Sequence, residues 1–307
     1  MNVVECSGRT KEEEGKMNVI KETAPAKINL FLDVTAKRDD GFHEIRSVMH
    51  SVSLSDEITV KRLSGEGGTV RLLLDGNRRL PTDGKNLAVR AARAFLDAAA
   101  ISDSIEIRLK KRIPVAAGLG GGSADAAAVL RALNRLYKKP FTEKMLLSIA
   151  ASLGSDVPYC LIGGTAICLG RGEIMTRTAP PKPFFAVIAS SGERVSTPVA
   201  YAELDSLFSD FSAGGDTLAE KKYRELLDSI SEGRRLPDLY NVFESVILPR
   251  CEGAARLRVR LAELGATCTL MSGSGPSIFG VFDSEEAAYA ARDVLRTEGI
   301  LAFFAKG

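Results

Sequence analysis

The chain has 307 residues, 41 Lys and Arg against 39 Asp and Glu, and a formal charge of +2. That length predicts about two domains, and the balanced charge argues against a general nucleic-acid binder. Five cysteines without a Cys-x-x-Cys pair, and only two histidines, exclude a zinc cluster and fit a reduced cytosol. No apolar run reaches the ~20 residues of a membrane span. Residues 1–16 are polar and carry Lys11-Glu12-Glu13-Glu14, with no apolar signal core. They read as a disordered extension, or as a start misplaced ahead of Met17. The expectation is a soluble, cytoplasmic protein with no membrane partner.

In chain order, Ile28, Leu30, Leu32 and Val34 alternate with other residues as in a half-buried strand. Lys27 and Asn29 then share the opposite face, which reads alone as a solvated edge. Asp40-Gly41 is a turn signal that carries Phe42 and His43 on an exposed corner. Residues 53–62 read as another strand. After the Leu80-Pro81 break, a helix starts at Asn86-Leu87, with Asn86 a candidate N-cap. Residues 104–109 alternate as a strand, and Val129, Leu130, Leu133, Leu136 and Tyr137 recur at helical spacing.

Between these last two lies Pro114-Val115-Ala116-Ala117-Gly118-Leu119-Gly120-Gly121-Gly122-Ser123-Ala124-Asp125. Each glycine fixed in regular structure costs about 0.5–1 kcal/mol relative to alanine, so four need a compensating use. A strand, a glycine loop and a helix start together present free N–H groups and the positive end of a helix dipole. That is a phosphate site, with Ser123 and Asp125 placed to cap the helix. A flexible turn or a packing device is the plainer alternative. Gly122-Ser123 lacks the lysine of a P-loop, and residues 113–117 intervene where a dinucleotide fingerprint needs glycine at the strand end.

Further on, residues 144–153 read as a helix closed by Gly154, and Asp156 as a turn or N-cap residue. Gly163-Gly164 and Gly170-Arg171-Gly172-Glu173 read as hairpin turns. Pro180-Pro181-Lys182-Pro183 reads as the interdomain link, followed by a buried strand at 184–189. Residues 206–216 read as a mobile polar loop. Ser272-Gly273-Ser274-Gly275-Pro276 reads alone as a hairpin turn between strands at 266–270 and 278–282. A helix over 285–296 and a strand over 300–305 close the chain.

The Pro114–Ala124 stretch resembles the central motif of the GHMP kinases, the galactose, homoserine, mevalonate and phosphomevalonate kinases. Its triple glycine and Ser123 are similar to the branch whose alcohol substrate carries a cytidine diphosphate group. Three other blocks resemble that branch in the same order: Pro25-Ala26-Lys27-Ile28-Asn29-Leu30, Arg38-Asp39-Asp40-Gly41-Phe42-His43 and Leu153-Gly154-Ser155-Asp156-Val157-Pro158. The branch's pattern has tyrosine where Phe42 stands.

The resemblance implies an α+β, two-domain GHMP kinase fold. Its N-terminal ATP-binding domain would cover 17–179, and its C-terminal, ferredoxin-like two-layer domain 180–307. It implies ATP-dependent phosphorylation of the 2-hydroxyl of the methylerythritol unit, in isoprenoid precursor synthesis. Pro114 to Ala124 would cradle the ATP phosphates, with Asn86 and Leu87 near the adenine. Lys27 would lie beside the transferred group and Asp156 would be the general base. Asn29, Phe42, His43, Thr197 and Tyr201 would face the substrate, Phe42 stacking on cytosine and His43 bonding its edge. Met49 falls where another ring contact is expected. Mg²⁺ is implied by the triphosphate, with Ser123 a candidate ligand. The expected assembly is a monomer or weak homodimer. Two alternatives stay open: another GHMP kinase, such as a mevalonate or homoserine kinase, and an inert member that binds nucleotide as a regulator.

Overall fold

The computed structural model describes residues 18–76, 80–207 and 218–307. The expected extension at 1–16, with Cys6, lies outside them, as does most of the expected loop at 206–216. Two long strands, β1 (Val19–Lys37) and β2 (His43–Glu66), pair antiparallel around the Asp40-Gly41 turn. They carry a seven-stranded sheet. β3 (Val70–Asp75) and β4 (Asp103–Lys110) extend it beyond β2. β5 (Thr165–Gly170) pairs with the first half of β2, and β6 (Ile174–Thr178) pairs with β5. On the other edge β1 pairs parallel with β8 (Tyr240–Asn241), so the second half of the chain contributes one strand to the first sheet.

Helices α1 (Leu87–Ala98), α2 (Gly121–Leu136), α3 (Glu143–Leu153) and α4 (Asp156–Ile162) cover one face of this sheet. α2 is rich in alanine, the best helix former. Ala124, Ala127 and Ala128 lie at i, i+3 and i+4, are fully buried, and share one core with α1 and β4. Asn86 caps α1 as its residue type predicts, its side-chain oxygen accepting from Ala88 N at 2.9 Å.

The second sheet runs β11 (Leu301–Lys306), β7 (Phe185–Ser190), β10 (Ile278–Phe282), β9 (Cys268–Met271), all antiparallel. With α5 (Thr197–Leu207), α6 (Leu218–Ser231), α7 (Glu244–Ile247), α8 (Glu252–Glu263) and α9 (Glu285–Thr297), it makes the split βαβ pattern of a ferredoxin-like layer pair. Ala186 and Ile188 of β7 pack toward the first sheet, while Val187 and Ala189 pack toward α8 and α9. Both faces being covered explains the unbroken apolar run at 184–189.

Three expectations need correction. β1 is buried on both faces rather than one, because the second sheet packs over Ile28, Leu30 and Phe31. A register shift between Asn29 and Phe31 also breaks the alternation, so Leu32 and Val34 join a different core from Ile28 and Leu30. Gly154 ends α3 with φ 167°, an extended conformation open to any residue, so no left-handed glycine cap is involved. Asp156 is the first helical residue of α4, not its cap.

Among the described residues no helix is long and apolar enough to cross a membrane, and four cysteines are free.

His50 shows how the sheet–sheet seam titrates. It is buried beside Phe184, bonded through Nδ1 to Thr165 Oγ1 at 2.8 Å, and Nε2 has no partner among the described residues. Burial pushes its pKa from 6.5 down to about 4. The folded chain therefore keeps the ring neutral where the unfolded chain binds a proton. Stability is expected to be complete above pH 6.5 and to fall by up to about 3 kcal/mol as pH drops toward 4. Urea midpoints of the wild type and His50→Gln across that range check this; the variant's profile should be flatter.

Candidate active site

The glycine stretch runs from the end of β4 into α2. Ala116, Gly118 and Gly120 all have positive φ, at 54°, 74° and 66°. The helix N-cap is Gly120, which makes no side-chain cap bond. Ser123 and Asp125 therefore do not cap the helix, contrary to expectation. The N–H groups of the first turn are left to an outside acceptor, and no acidic side chain stands in that turn.

Asp125 instead turns inward. Its Oδ2 accepts from Lys111 Nζ at 2.8 Å, and Lys111 also pairs with Asp56. Asp56 Oδ1 accepts from the main-chain N–H of Ile113 at 2.8 Å and of Arg112 at 2.5 Å. The loop's entry is thereby fixed to β2. All three side chains are buried. Burial, with Asp56 adding negative charge, pushes the Asp125 pKa up to about 8. Nothing periodic marked this cluster, although an aspartate inside a strand, as Asp56 is, runs against β propensity.

Lys27 extends from β1 beneath the loop. Its N–H donates to Leu119 O at 3.0 Å, and a Cβ on Gly120 would stand 2.9 Å from Lys27 Cγ. Lys27 Nζ donates to Asn29 Oδ1 at 2.7 Å and lies 3.9 Å from Asp156 Oδ2. Asn29 in turn donates to Ser47 Oγ at 2.8 Å, so both ends of its amide are committed. Lys27 is buried, whereas the Asp156 side chain is 36% exposed and faces the cleft.

Two cavities meet here. The larger, about 710 Å³, is lined by Lys27, Asn29, Phe42, His43, Asp156 and Tyr201, among others. The smaller, about 360 Å³, is lined by Asn86, Leu87, Lys111 and the main chain of the glycine stretch. Ala116, Gly118, Gly120 and Ser123 line both. Ala124 lines neither and packs in the core beside α1. Met49 also lines the larger cavity.

The Ser272–Gly275 loop closes the larger cavity from the second half of the chain. Ser272 Oγ donates to Gly118 O at 3.0 Å, and Ser274 Oγ pairs with Thr197 Oγ1 at 2.8 Å. Asn241, not singled out in the sequence, braces this loop by donating to Met271 O at 2.7 Å and Gly273 O at 2.8 Å. The wall opposite Lys27 is aromatic. His43 stacks on Tyr201 with centroids 4.6 Å apart, and the Arg171 guanidinium lies 4.7 Å over the Phe42 ring. Burial, helped by the charge of Asp156, pushes the Tyr201 pKa up to about 12, so its hydroxyl stays protonated. Among the described residues, no group of three or more His, Cys, Asp or Glu is arranged to hold a metal ion.

Comparison with known proteins agrees with this geometry. The GHMP kinases N terminal domain matches residues 86–164, and the GHMP kinases C terminal domain matches 217–301. The chain is 39% identical to the 4-diphosphocytidyl-2-C-methyl-D-erythritol kinase of Syntrophomonas wolfei, over 92% of this chain and 95% of that one. It belongs to the 4-diphosphocytidyl-2-C-methyl-D-erythritol kinase family of GHMP kinases. The family's Bacillus subtilis member is 37% identical over 90% of this chain and 93% of its own. A crystal structure of a 4-(cytidine 5'-diphospho)-2C-methyl-D-erythritol kinase superposes with a TM-score of 0.78 at 36% identity, covering 94% of this chain and 98% of that one. The L. major mevalonate kinase superposes at a TM-score of 0.75 with 15% identity, over 93% of this chain and 95% of that one, and shares the fold alone. As a kinase of this family, the protein uses ATP as co-substrate.

Two outcomes are expected. A Cβ at Gly118 would lie 2.1 Å from Ser272 O, on top of the roughly 1–2 kcal/mol of a left-handed backbone. Gly118→Ala should therefore lose more stability than Gly164→Ala, which has φ +75° and nothing within 4 Å, and should also raise KM for ATP. Denaturant titration and initial rates check both. For Asp125, burial holds the folded pKa above its ordinary 3.8, so the associated stability is fully present below that value and is lost as pH rises from there to about 8. Asp125→Asn should fold and should flatten that loss between pH 4 and 8 in urea midpoints.

Proposed function

We propose that the protein transfers the γ-phosphoryl group of ATP to the 2-hydroxyl of 4-diphosphocytidyl-2-C-methyl-D-erythritol, giving the 2-phosphate and ADP. The observation that carries this reading is the shared wall: one glycine loop lines both cavities, and Lys27 and Asp156 stand on its larger-cavity side. A nucleotide in the smaller cavity, beside Asn86 and Leu87, would direct its triphosphate along the loop's N–H groups toward the larger one.

Asp156 takes the proton of the attacking hydroxyl. The hydroxyl oxygen bonds to the γ-phosphorus, the bond from phosphorus to the bridging oxygen breaks, and ADP leaves with that electron pair. Lys27, oriented by Asn29, stabilises charge on the moving phosphoryl oxygens. Phe42 stacks on the cytosine and His43 reads its edge, with Thr197 and Tyr201 completing that end of the pocket. Ser123 offers a hydroxyl to both cavities, an oxygen donor of the kind Mg²⁺ accepts alongside water and phosphate. Bound there, Mg²⁺ would neutralise triphosphate charge. We draw the boundary between the two domains at 179/180. We propose a monomer or weak homodimer.

The test is ATP consumption with Mg²⁺ and the diphosphocytidyl substrate, against mevalonate and homoserine. Turnover with the cytidyl compound alone is expected. Turnover only with another alcohol would keep the kinase and remove the cytosine pocket. ATP binding without any turnover would favour a regulator. Asp156→Asn should lower kcat by about 10²–10⁴-fold with ATP affinity kept; full activity would remove Asp156 from the mechanism.

A further inference from the structure

Arg131 lies on α2 three turns beyond the N-cap Gly120, away from the cleft. Its guanidinium fork reaches two main-chain oxygens on different elements. Nη1 donates to Cys160 O at 2.8 Å, on α4. Nη2 donates to Thr23 O at 2.9 Å, on β1. Glu22 Oε2 lies 3.5 Å from Nε and answers the charge beside the fork.

Each acceptor belongs to an element that carries one side chain of the site. α4 has seven residues, and Cys160 O is among its last four carbonyls, which find no partner within a helix. Asp156 is the first residue of the same helix. On β1, the ladder to β2 shifts register between Pro25 and Lys27, and Pro25 has no N–H to give it. Two ties bracket that irregular stretch. Arg131 holds Thr23 O on one side, and on the other Leu119 O, at the entry to α2, accepts the Lys27 N–H at 3.0 Å. At Gly120 the three elements meet again: a Cβ there would stand 2.9 Å from Lys27 Cγ and 3.7 Å from Cys160 Sγ. α2 thus meets both β1 and α4 at its start and again at Arg131. Two points of attachment along one helix fix an angle as well as a distance.

We propose that Arg131 is a positioning residue for phosphoryl transfer: by fastening α4 and β1 to one helix, it sets the separation of Lys27 Nζ and Asp156 Oδ2, 3.9 Å in this structure. This rests on the reading of those two side chains as the transfer pair. Misplacing reacting groups by about 1 Å costs up to about 10²-fold in rate. A lysine cannot replace the fork, because its single nitrogen cannot stand where Nη1 and Nη2 both stand.

The experiment measures kcat and KM with ATP and the diphosphocytidyl substrate for the wild type, Arg131→Met, Arg131→Lys, Glu22→Gln, Asp156→Asn and Arg131→Met combined with Asp156→Asn. ATP titration counts the binding-competent sites, and urea midpoints report stability. Arg131→Met is expected to lower kcat per site about 10- to 100-fold, with both KM values within about threefold of wild type. Arg131→Lys, which keeps the charge and the stem and tests the fork even where the methionine variant does not fold, should fall with it. Glu22→Gln leaves both carbonyl bonds in place and should keep kcat within about threefold. Added to Asp156→Asn, Arg131→Met should cost less than about threefold more, since the pair it positions is already broken. The full loss repeated in that background would make the two effects independent and overturn the proposal. So would wild-type kcat in Arg131→Lys. A merely structural Arg131 would lower the urea midpoint and the number of ATP-binding sites while kcat per site stayed unchanged, which also overturns it. Full activity of Asp156→Asn alone overturns the transfer pair itself, a result distinct from all of these.

Discussion

The closest approach in the molecule that matters to function is between two glycine loops from opposite halves of the chain. Gly118 leaves no room for a side chain against Ser272 O, and a Cβ on Gly273 would stand 3.0 Å from Gly118 O and 3.2 Å from Lys27 Nζ. Any side chain at these points would pry the second sheet's loop away from the Pro114–Ala124 loop. The hydrogen bond from Ser272 to Gly118 O then fixes the distance between the halves. Asn241 and Glu244, which accepts from Met271 N at 2.9 Å, hold the far loop in turn. The cleft is therefore a product of backbone-to-backbone contact, and its side chains are hung on a frame that glycine alone permits.

The site's charges divide by the same frame. Lys111 is buried between two carboxylates, one of which burial pushes toward its protonated form, so that cluster is matched within itself and belongs to the scaffold. Lys27 is equally buried but has a neutral amide at 2.7 Å and its carboxylate only at 3.9 Å and partly in solvent. A buried ammonium without close compensation is costly, and an arriving phosphate offers the missing charge. The difference between the two lysines is what separates a structural cation from one available to a substrate.

Much of this was legible in the sequence, where local chemistry decides. The alternation in β4, the helical spacing of α2, the Asn86 cap and the Asp40-Gly41 turn are each set by neighbours in the chain. The glycine run announced a loop of unusual backbone, because so many glycines need a use, and Gly118 and Gly120 do take positive φ. What stayed hidden depends on distant partners. The shift at Asn29/Phe31, which splits the apolar residues of β1 between two cores, follows from pairing with β2. Asp205 resembles any polar residue near a helix end until the fold sets it against His43, 162 positions away. Ala116 takes a positive φ that its side chain disfavours, at a cost of order 1–3 kcal/mol that the surrounding loop must offset.

Phe42 illustrates how magnitudes settle a role. It is 51% exposed, and its ring is met by the Arg171 guanidinium at 4.7 Å. A cation over an exposed ring is worth about 0.5–1 kcal/mol. A nucleobase stacked on an aromatic side chain is worth about 1–3 kcal/mol. A base that displaces the guanidinium would therefore still gain. None of this uses a ring hydroxyl. On the proposed reading, phenylalanine in place of the family's tyrosine keeps the stacking surface and gives up only a polar contact.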